Sequence, residues 1–210
     1  LAGNTVIAKP AEKTSIVAYE IVKLFLKAGL PVGSLQLLIG KGGNIGQIVL
    51  NDTRIKGVVF TGSCETAKKI QNDLVKREGE IIPFMAETGG LNFMIIDSSA
   101  LTEQVVDDAI ESGFNAAGQR CSALRILAIQ DEVYDKTLKM LIGATKKIKI
   151  GLPNLLSTDI GPVIDQEAKD RINNHVKSFK SKVLAQSPLE TKYQGYYVTP
   201  TIIEIENLNE

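Results

Sequence analysis

The 210 residues predict an α/β fold, and three observations carry that expectation. Short runs of β-branched and aliphatic residues alternate with longer stretches of helical spacing along most of the chain. Glycine or proline stands at most of the junctions between them. No internal repeat or low-complexity segment interrupts the pattern. Such alternation argues for a mainly parallel sheet with helices on both faces.

The elements follow in order. Thr5-Val6-Ile7-Ala8-Lys9 reads as a short strand closed by Pro10. Thr14 or Ser15 can cap a helix over 14–28, in which Ile16, Ala18, Ile21, Val22 and Phe25 fall near helical spacing before Gly29, Pro31 and Gly33 break it. A second strand is expected over 35–40, a helix over 45–51, a third strand over 57–61, and a helix that opens at Gly62-Ser63 and runs to residue 77. Strands over 81–87 and 93–97 precede a helix over 102–117. Residues 118–121 read as a loop, 124–130 as a strand and 131–147 as a helix. A loop at 151–157 and a turn at Gly161-Pro162 lead to a helix over 167–180. Residues 181–194 are polar and weakly patterned, and 196–205 read as a strand.

Composition excludes several classes. Lys and Arg number 24, equal to Asp and Glu, so no basic stripe argues for nucleic acid. The apolar run over 17–30 is broken by Glu20, Lys23 and Lys27, so nothing reads as a membrane span. Two cysteines are too few for a disulfide framework and read as free thiols of a reducing, cytoplasmic compartment. One histidine, His175, cannot build a metal site with so few partners. Leu1 is not an initiator Met and Asn207-Leu208-Asn209-Glu210 closes no element, so an excerpt of a longer protein is expected.

Four constellations can carry chemistry, each with a plainer alternative. At Phe60-Thr61-Gly62-Ser63 a strand passes into a helix. Free N–H groups at a helix N-terminus attract phosphate, and Ser63 can add a hydroxyl; equally, Ser63 can be an ordinary helix cap. Lys9 and Glu12, in Lys9-Pro10-Ala11-Glu12, lie at the carboxyl end of a strand, where ligands of parallel sheets sit, or are simply solvated. Glu87 follows an apolar run and precedes Gly89-Gly90, so it reads either as a desolvated general base or as a strand-end carboxylate facing water. Cys121 lies in the loop Gly118-Gln119-Arg120-Cys121, an accessible thiol beside Arg120, or a small buried residue.

Taken in order, Lys9-Pro10-Ala11-Glu12, Phe60-Thr61-Gly62-Ser63, Glu87-Thr88-Gly89-Gly90 and Gly118-Gln119-Arg120-Cys121 resemble the signatures of the NAD(P)-dependent aldehyde dehydrogenase superfamily. The longer runs over 97–106, 117–125 and 158–165 resemble, within it, the dehydrogenase module of the bifunctional proline utilization A flavoproteins. The resemblance implies NAD-dependent oxidation of L-glutamate 5-semialdehyde to L-glutamate, the second step of proline breakdown; another short substrate such as succinate semialdehyde is the alternative, and a folded non-catalytic fragment a further one. It implies Cys121 as nucleophile, Glu87 as general base, Lys9 and Glu12 at the adenosine ribose, Gly42 and Gly46 on the adenine side, Gly62 and Ser63 at the pyrophosphate, and Ser122 at the substrate carboxylate.

The resemblance further implies a Rossmann-like cofactor domain ending near residue 88, then most of a catalytic α/β domain over 89–210, with the active site in the crevice between them. The parent is expected to be a homo-oligomer, with FAD confined to a proline dehydrogenase domain outside this chain. Any peripheral membrane association would belong to the parent alone. Two departures matter. The family's oxyanion-hole Asn is expected upstream of Leu1, and the Glu of its nicotinamide-ribose segment after Glu210, so the 210 residues alone are expected to turn over negligibly. Ala67, where the family has Gly, is a smaller departure.

Overall fold

The computed structural model describes residues 3–189 and 194–208. The chain divides into two compact units, Leu1–Gly89 and Gly90–Glu210.

In the first unit, β1 (Val6–Ala8) and β2 (Leu35–Leu37) pair in parallel through the crossover helix α1 (Ser15–Lys27). Helix α2 (Gly42–Asn51) follows. Strands β3 (Val58–Gly62) and β4 (Phe84–Thr88) then pair in parallel through α3 (Cys64–Lys76). Parallel strands need a crossover of a dozen or so residues, and a helix is the cheapest way to satisfy its backbone. The expected strand over 81–87 starts only at Phe84. Pro83 has no N–H to give, and its carbonyl accepts from Val58 N at 3.0 Å just below the ladder. Helix α2 starts three residues before the expected Ile45. Neither Thr14 nor Ser15 caps α1: their hydroxyls donate backward to the carbonyls of Ala11 and Glu12.

The second unit repeats the scheme and adds a core. Strands β5 (Asn92–Ile96) and β6 (Leu124–Ile129) pair in parallel through α4 (Thr102–Phe114). Helix α5 (Asp131–Thr145) packs on α4, where Val106, Ala109 and Leu141 are buried against Met94, Leu124, Leu127 and Ile202. Each large aliphatic side chain buried there contributes about 1.5–3 kcal/mol. Helix α6 (Gln166–Ser178) is capped by Asp165, whose carboxylate accepts from Ala168 N at 2.9 Å. Strand β7 (Val183–Gln186) lies inside the weakly patterned stretch and pairs antiparallel with β8 (Thr201–Ile203), a short remnant of the strand expected over 196–205. Pro200 stands just before that strand, which begins only at Thr201, and its carbonyl accepts from Ser187 N at 3.1 Å. Residues 190–193 of the weakly patterned stretch lie outside the described residues.

Among the described residues the strands form four two-stranded pairs, not one continuous sheet. Each parallel pair is a single βαβ unit, and its outer edges find no further strand here. The consequence is uneven burial. Large apolar side chains of the first unit stand in solvent, with Ile16 at 81%, Val59 at 73% and Ile81 fully exposed, whereas Leu50 and Ala67 are its buried hydrophobic residues. No helix of the described residues is long and apolar enough to cross a membrane.

Candidate active site

The first unit brings Lys9, Glu12 and Gly42 together. Glu12 follows β1 in a short 3-10 turn, Glu12–Thr14, and its Oε1 accepts a hydrogen bond from the N–H of Gly42, the first residue of α2, at 3.2 Å. A methyl group added at Gly42 would lie 3.3 Å from Lys9 Nζ. Gly46 is one turn further along the same face of α2, and a methyl there would meet nothing within 4 Å. The result is bare backbone flanked by one cationic donor and one carboxylate acceptor. A ribose diol both donates and accepts, so this donor set fits the ribose of a dinucleotide, with room beside Gly46 for a flat ring.

At the second constellation the structure has the helix cap. Ser63 is the N-cap of α3: its Oγ accepts from Thr66 N at 3.1 Å and donates to Thr66 Oγ1 at 2.9 Å. Thr66 thus engages the Ser63 hydroxyl, as in the capping alternative. The N–H groups of the first turn of α3 are what a phosphate could still use. Gly62 has a steric reason of its own, since a methyl group there would come within 2.5 Å of the Phe60 ring. Ala67, in the first turn of the same helix, is 7% exposed.

Glu87 sits in β4 opposite Thr61 of β3 and is exposed. This corrects the expected desolvation. Side chains alternate between the two faces of the β3–β4 pair, and Met85, Ala86 and Glu87 are all exposed, so neither face is covered there.

In the second unit, Cys121 is an exposed free thiol in the loop between α4 and β6, with Ser122 exposed beside it. The loop is heavily tied. Helix α4 gives way to a 3-10 turn, Asn115–Gly118, in which Ala116 and Ala117 adopt left-handed backbone angles with φ of 54° and 55°. Gly118 (φ 66°) is buried, and its carbonyl accepts from Arg125 Nη2 at 2.6 Å. Gln119 donates to Ala116 O at 3.2 Å and accepts from Ile164 N at 2.8 Å, so the segment around Gly161-Pro162 braces the loop from 45 residues away. Arg120 donates to the carbonyl of Glu111 at 3.3 Å, which ties its guanidinium to the last turn of α4. Asn92, the first residue of β5, donates from Nδ2 to Cys121 O at 2.8 Å and to Ala123 O at 2.9 Å. Asn92, Gln119 and Arg125 were not singled out by sequence reasoning. Their partners are main-chain groups, which leave no mark on residue type; the one available hint is that Asn92 directly follows Gly89-Gly90-Leu91.

Cys64 is the other free thiol, exposed at the start of α3, with its sulfur 3.8 Å from Gly89 O. His175 is on α6 with its ring 5.1 Å from that of Phe179. Among the described residues no three His, Cys, Asp or Glu side chains gather as a metal site.

Comparison with known proteins adds the lineage. The model of the aldehyde dehydrogenase family matches residues 1–208. The bifunctional protein PutA of Escherichia coli strain K12 is 49% identical over the whole of this chain, which spans 17% of that protein. The 1-pyrroline-5-carboxylate dehydrogenase of Anoxybacillus flavithermus is 35% identical over 95% of the chain, equal to 40% of its own length. A crystal structure of a Bradyrhizobium japonicum proline utilization A variant superposes with a TM-score of 0.93 at 44% identity, covering 99% of this chain and 21% of that one. The chain belongs to the aldehyde dehydrogenase family.

Proposed function

We propose that this chain carries the nucleophile, general base and dinucleotide contacts of an NAD-dependent L-glutamate 5-semialdehyde dehydrogenase. The observation that carries the reading is Cys121, an exposed thiol on a loop whose backbone is held on both sides of it. Likeness to PutA and to a 1-pyrroline-5-carboxylate dehydrogenase supports the substrate, because that pyrroline is the cyclised imine of the semialdehyde.

The steps follow from the residues. The Cys121 thiolate adds to the aldehyde carbon, forming a C–S bond and placing the carbonyl electron pair on oxygen as an oxyanion. The backbone N–H of Cys121 is one donor to that oxyanion, and such donors are each worth about 3–4 kcal/mol. Bound NAD supplies the acceptor for the hydride that leaves this carbon. The acyl group then rests on Cys121 as a thioester. Glu87 takes a proton from water, the water oxygen bonds to the acyl carbon, and the C–S bond breaks to return the thiolate and release the carboxylic acid, which gives up its remaining proton to solvent. Ser122 offers a hydroxyl to the substrate carboxylate. Lys9, Glu12, Gly42 and Gly46 hold the adenosine end of the dinucleotide, and Gly62 with the first turn of α3 receives the pyrophosphate, where Ser63 acts by capping the helix. Residues 1–88 are then the cofactor part and residues 89–210 the catalytic part. Two free thiols fit a cytoplasmic setting.

The test is Cys121→Ser in the full-length natural protein, assayed for NADH formation with glutamate semialdehyde, succinate semialdehyde and a simple short aldehyde. Loss of all turnover with NAD binding intact supports the nucleophile. If kcat/KM is unchanged when the α-amine and α-carboxylate are absent, the substrate assignment fails. The isolated 210 residues, spanning 17% of one relative and 40% of another, are expected to bind the dinucleotide poorly and not to turn over.

A further inference from the structure

We propose that Asn92 is the positioning residue of the nucleophile loop; the proposal rests on the reading of Cys121 given above. The side-chain amide of Asn92 has two hydrogens about 120° apart, and both are used. One goes to Cys121 O and the other to Ala123 O, at 2.8 and 2.9 Å. Carbonyls two residues apart can meet one NH2 group only when the intervening turn is closed around it. A third bond, Ala123 N to Arg120 O at 3.2 Å, closes the same turn from within.

The local strand geometry serves this contact. Asn92 pairs with Leu124, yet the next residue, Phe93, pairs with Ile126, so the register skips Arg125. Irregularities of this kind re-aim a side chain at a strand end. The skipped Arg125 is the residue whose guanidinium holds Gly118 O at 2.6 Å, so one irregularity accompanies both grips on the loop. The other ties reach Ala116, Gly118 and Gln119. Asn92 grips the nucleophile's own residue.

The consequence for chemistry is directional. The Cys121 carbonyl lies in the peptide plane shared with Ser122 N, so fixing it restrains ψ of Cys121 and with it the direction of the Cα–Cβ bond that carries the thiol. Asn92 touches main chain and neither thiol nor substrate, so it acts through Cys121.

The experiment compares Asn92→Ser, Asn92→Ala and Asn92→Asp with Cys121→Ser in the full-length protein. Active sites are counted as the fraction of Cys121 carbamidomethylated by iodoacetamide, read by mass spectrometry of its peptide because Cys64 is exposed too, and kcat is expressed per titratable Cys121. Serine keeps one donor, alanine none, and aspartate has the shape of Asn but offers acceptors to two carbonyls. The expected order is wild type, Ser, then Ala and Asp, with kcat per thiol down by about tenfold to a hundredfold at the low end and KM for NAD within about twofold. A purely structural role would lower the melting temperature and the number of titratable thiols while leaving kcat per thiol at the wild-type value, and that result overturns the proposal. If the alanine variant does not fold, the serine variant decides: wild-type kcat per thiol rejects Asn92. Full activity of Cys121→Ser would instead remove the reading on which the proposal stands.

Discussion

Glu12 accepts a hydrogen bond at 3.2 Å from the backbone N–H of Gly42, thirty positions later in the chain. Gly42 is the first residue of α2, and the residue before it, Lys41, contributes no side-chain cap. A carboxylate therefore does for α2, from a distant turn, what a local Ser or Asp usually does, and it meets the positive end of the helix dipole. The same carboxylate is the acceptor proposed for the ribose, which couples helix stability to cofactor affinity at one side chain.

The two roles separate by substitution. Glu12→Gln keeps a carbonyl oxygen for Gly42 and should leave thermal stability nearly unchanged while weakening NAD binding about tenfold. Glu12→Ala should weaken NAD at least as much and also lose about 1 kcal/mol of stability. Calorimetric titration with NAD and thermal melts of the full-length variants check both. Equal NAD affinity in all three proteins would detach Glu12 from the cofactor.

The two free thiols give an internal control. Both are exposed, so iodoacetamide reaches both. Oxidation of glutamate semialdehyde should remain fully sensitive to alkylation in Cys64→Ala. Its loss should track modification of Cys121, located by mass spectrometry of the peptides. Retained activity after complete carbamidomethylation of Cys121 would end its candidacy.

Gly118 tests how tightly the loop is built. Its φ of 66° is left-handed, and a methyl group would stand 2.9 Å from the carbonyl oxygen of Gly113, a backbone atom with little freedom to retreat. Gly118→Ala should cost about 1–2 kcal/mol from the torsion alone, with the clash in addition. Denaturant unfolding measures the stability, and kcat should fall with it, because the Gly118 carbonyl is the anchor for Arg125.

Alkaline pH probes the link between α5 and the segment after β8. Tyr134 donates to the Glu204 carboxylate, and that bond, followed by partial burial, pushes its phenol from 10.0 up to about 12. A raised folded value means the stabilisation is whole below pH 10 and disappears as pH climbs through about 12. The stability advantage of wild type over Tyr134→Phe should be flat to about pH 10 and then shrink across that window, read from denaturant midpoints. A difference that stays constant to pH 12 would refute the assignment.

Much of the fold was legible where local chemistry decides. Val58-Val59-Phe60 and Met94-Ile95-Ile96 are apolar runs bounded by turn residues, and both became strands. Ser63 has a cap's residue type in a cap's position, and it caps. What escaped depends on distant partners. Strand β7 is four residues beside lysines, and among the described residues its one pairing strand is β8, some fifteen residues later. The early start of α2 reads as a glycine turn because its cap, Glu12, is thirty residues away. Ala116 and Ala117 carry no preference for left-handed backbone, so only their surroundings impose it. The site divides the same way. The order of motifs along the chain singles out Cys121 and Glu87 as candidates, whereas Asn92 is silent in it, its hydrogen bonds going to two carbonyls rather than to any pattern of side chains.

The uneven burial of the first unit has a practical consequence at the bench. Ile16, Val17, Leu24, Val59, Val75 and Ile81 all stand in water, far more aliphatic surface than a long-lived colloid tolerates. Prepared by itself, the chain should self-associate as concentration rises, with a scattering signal that grows on salting with sulfate and falls when a mild detergent coats those side chains. Its shelf life in a tube would then be governed by surface tension rather than by the strength of its folds.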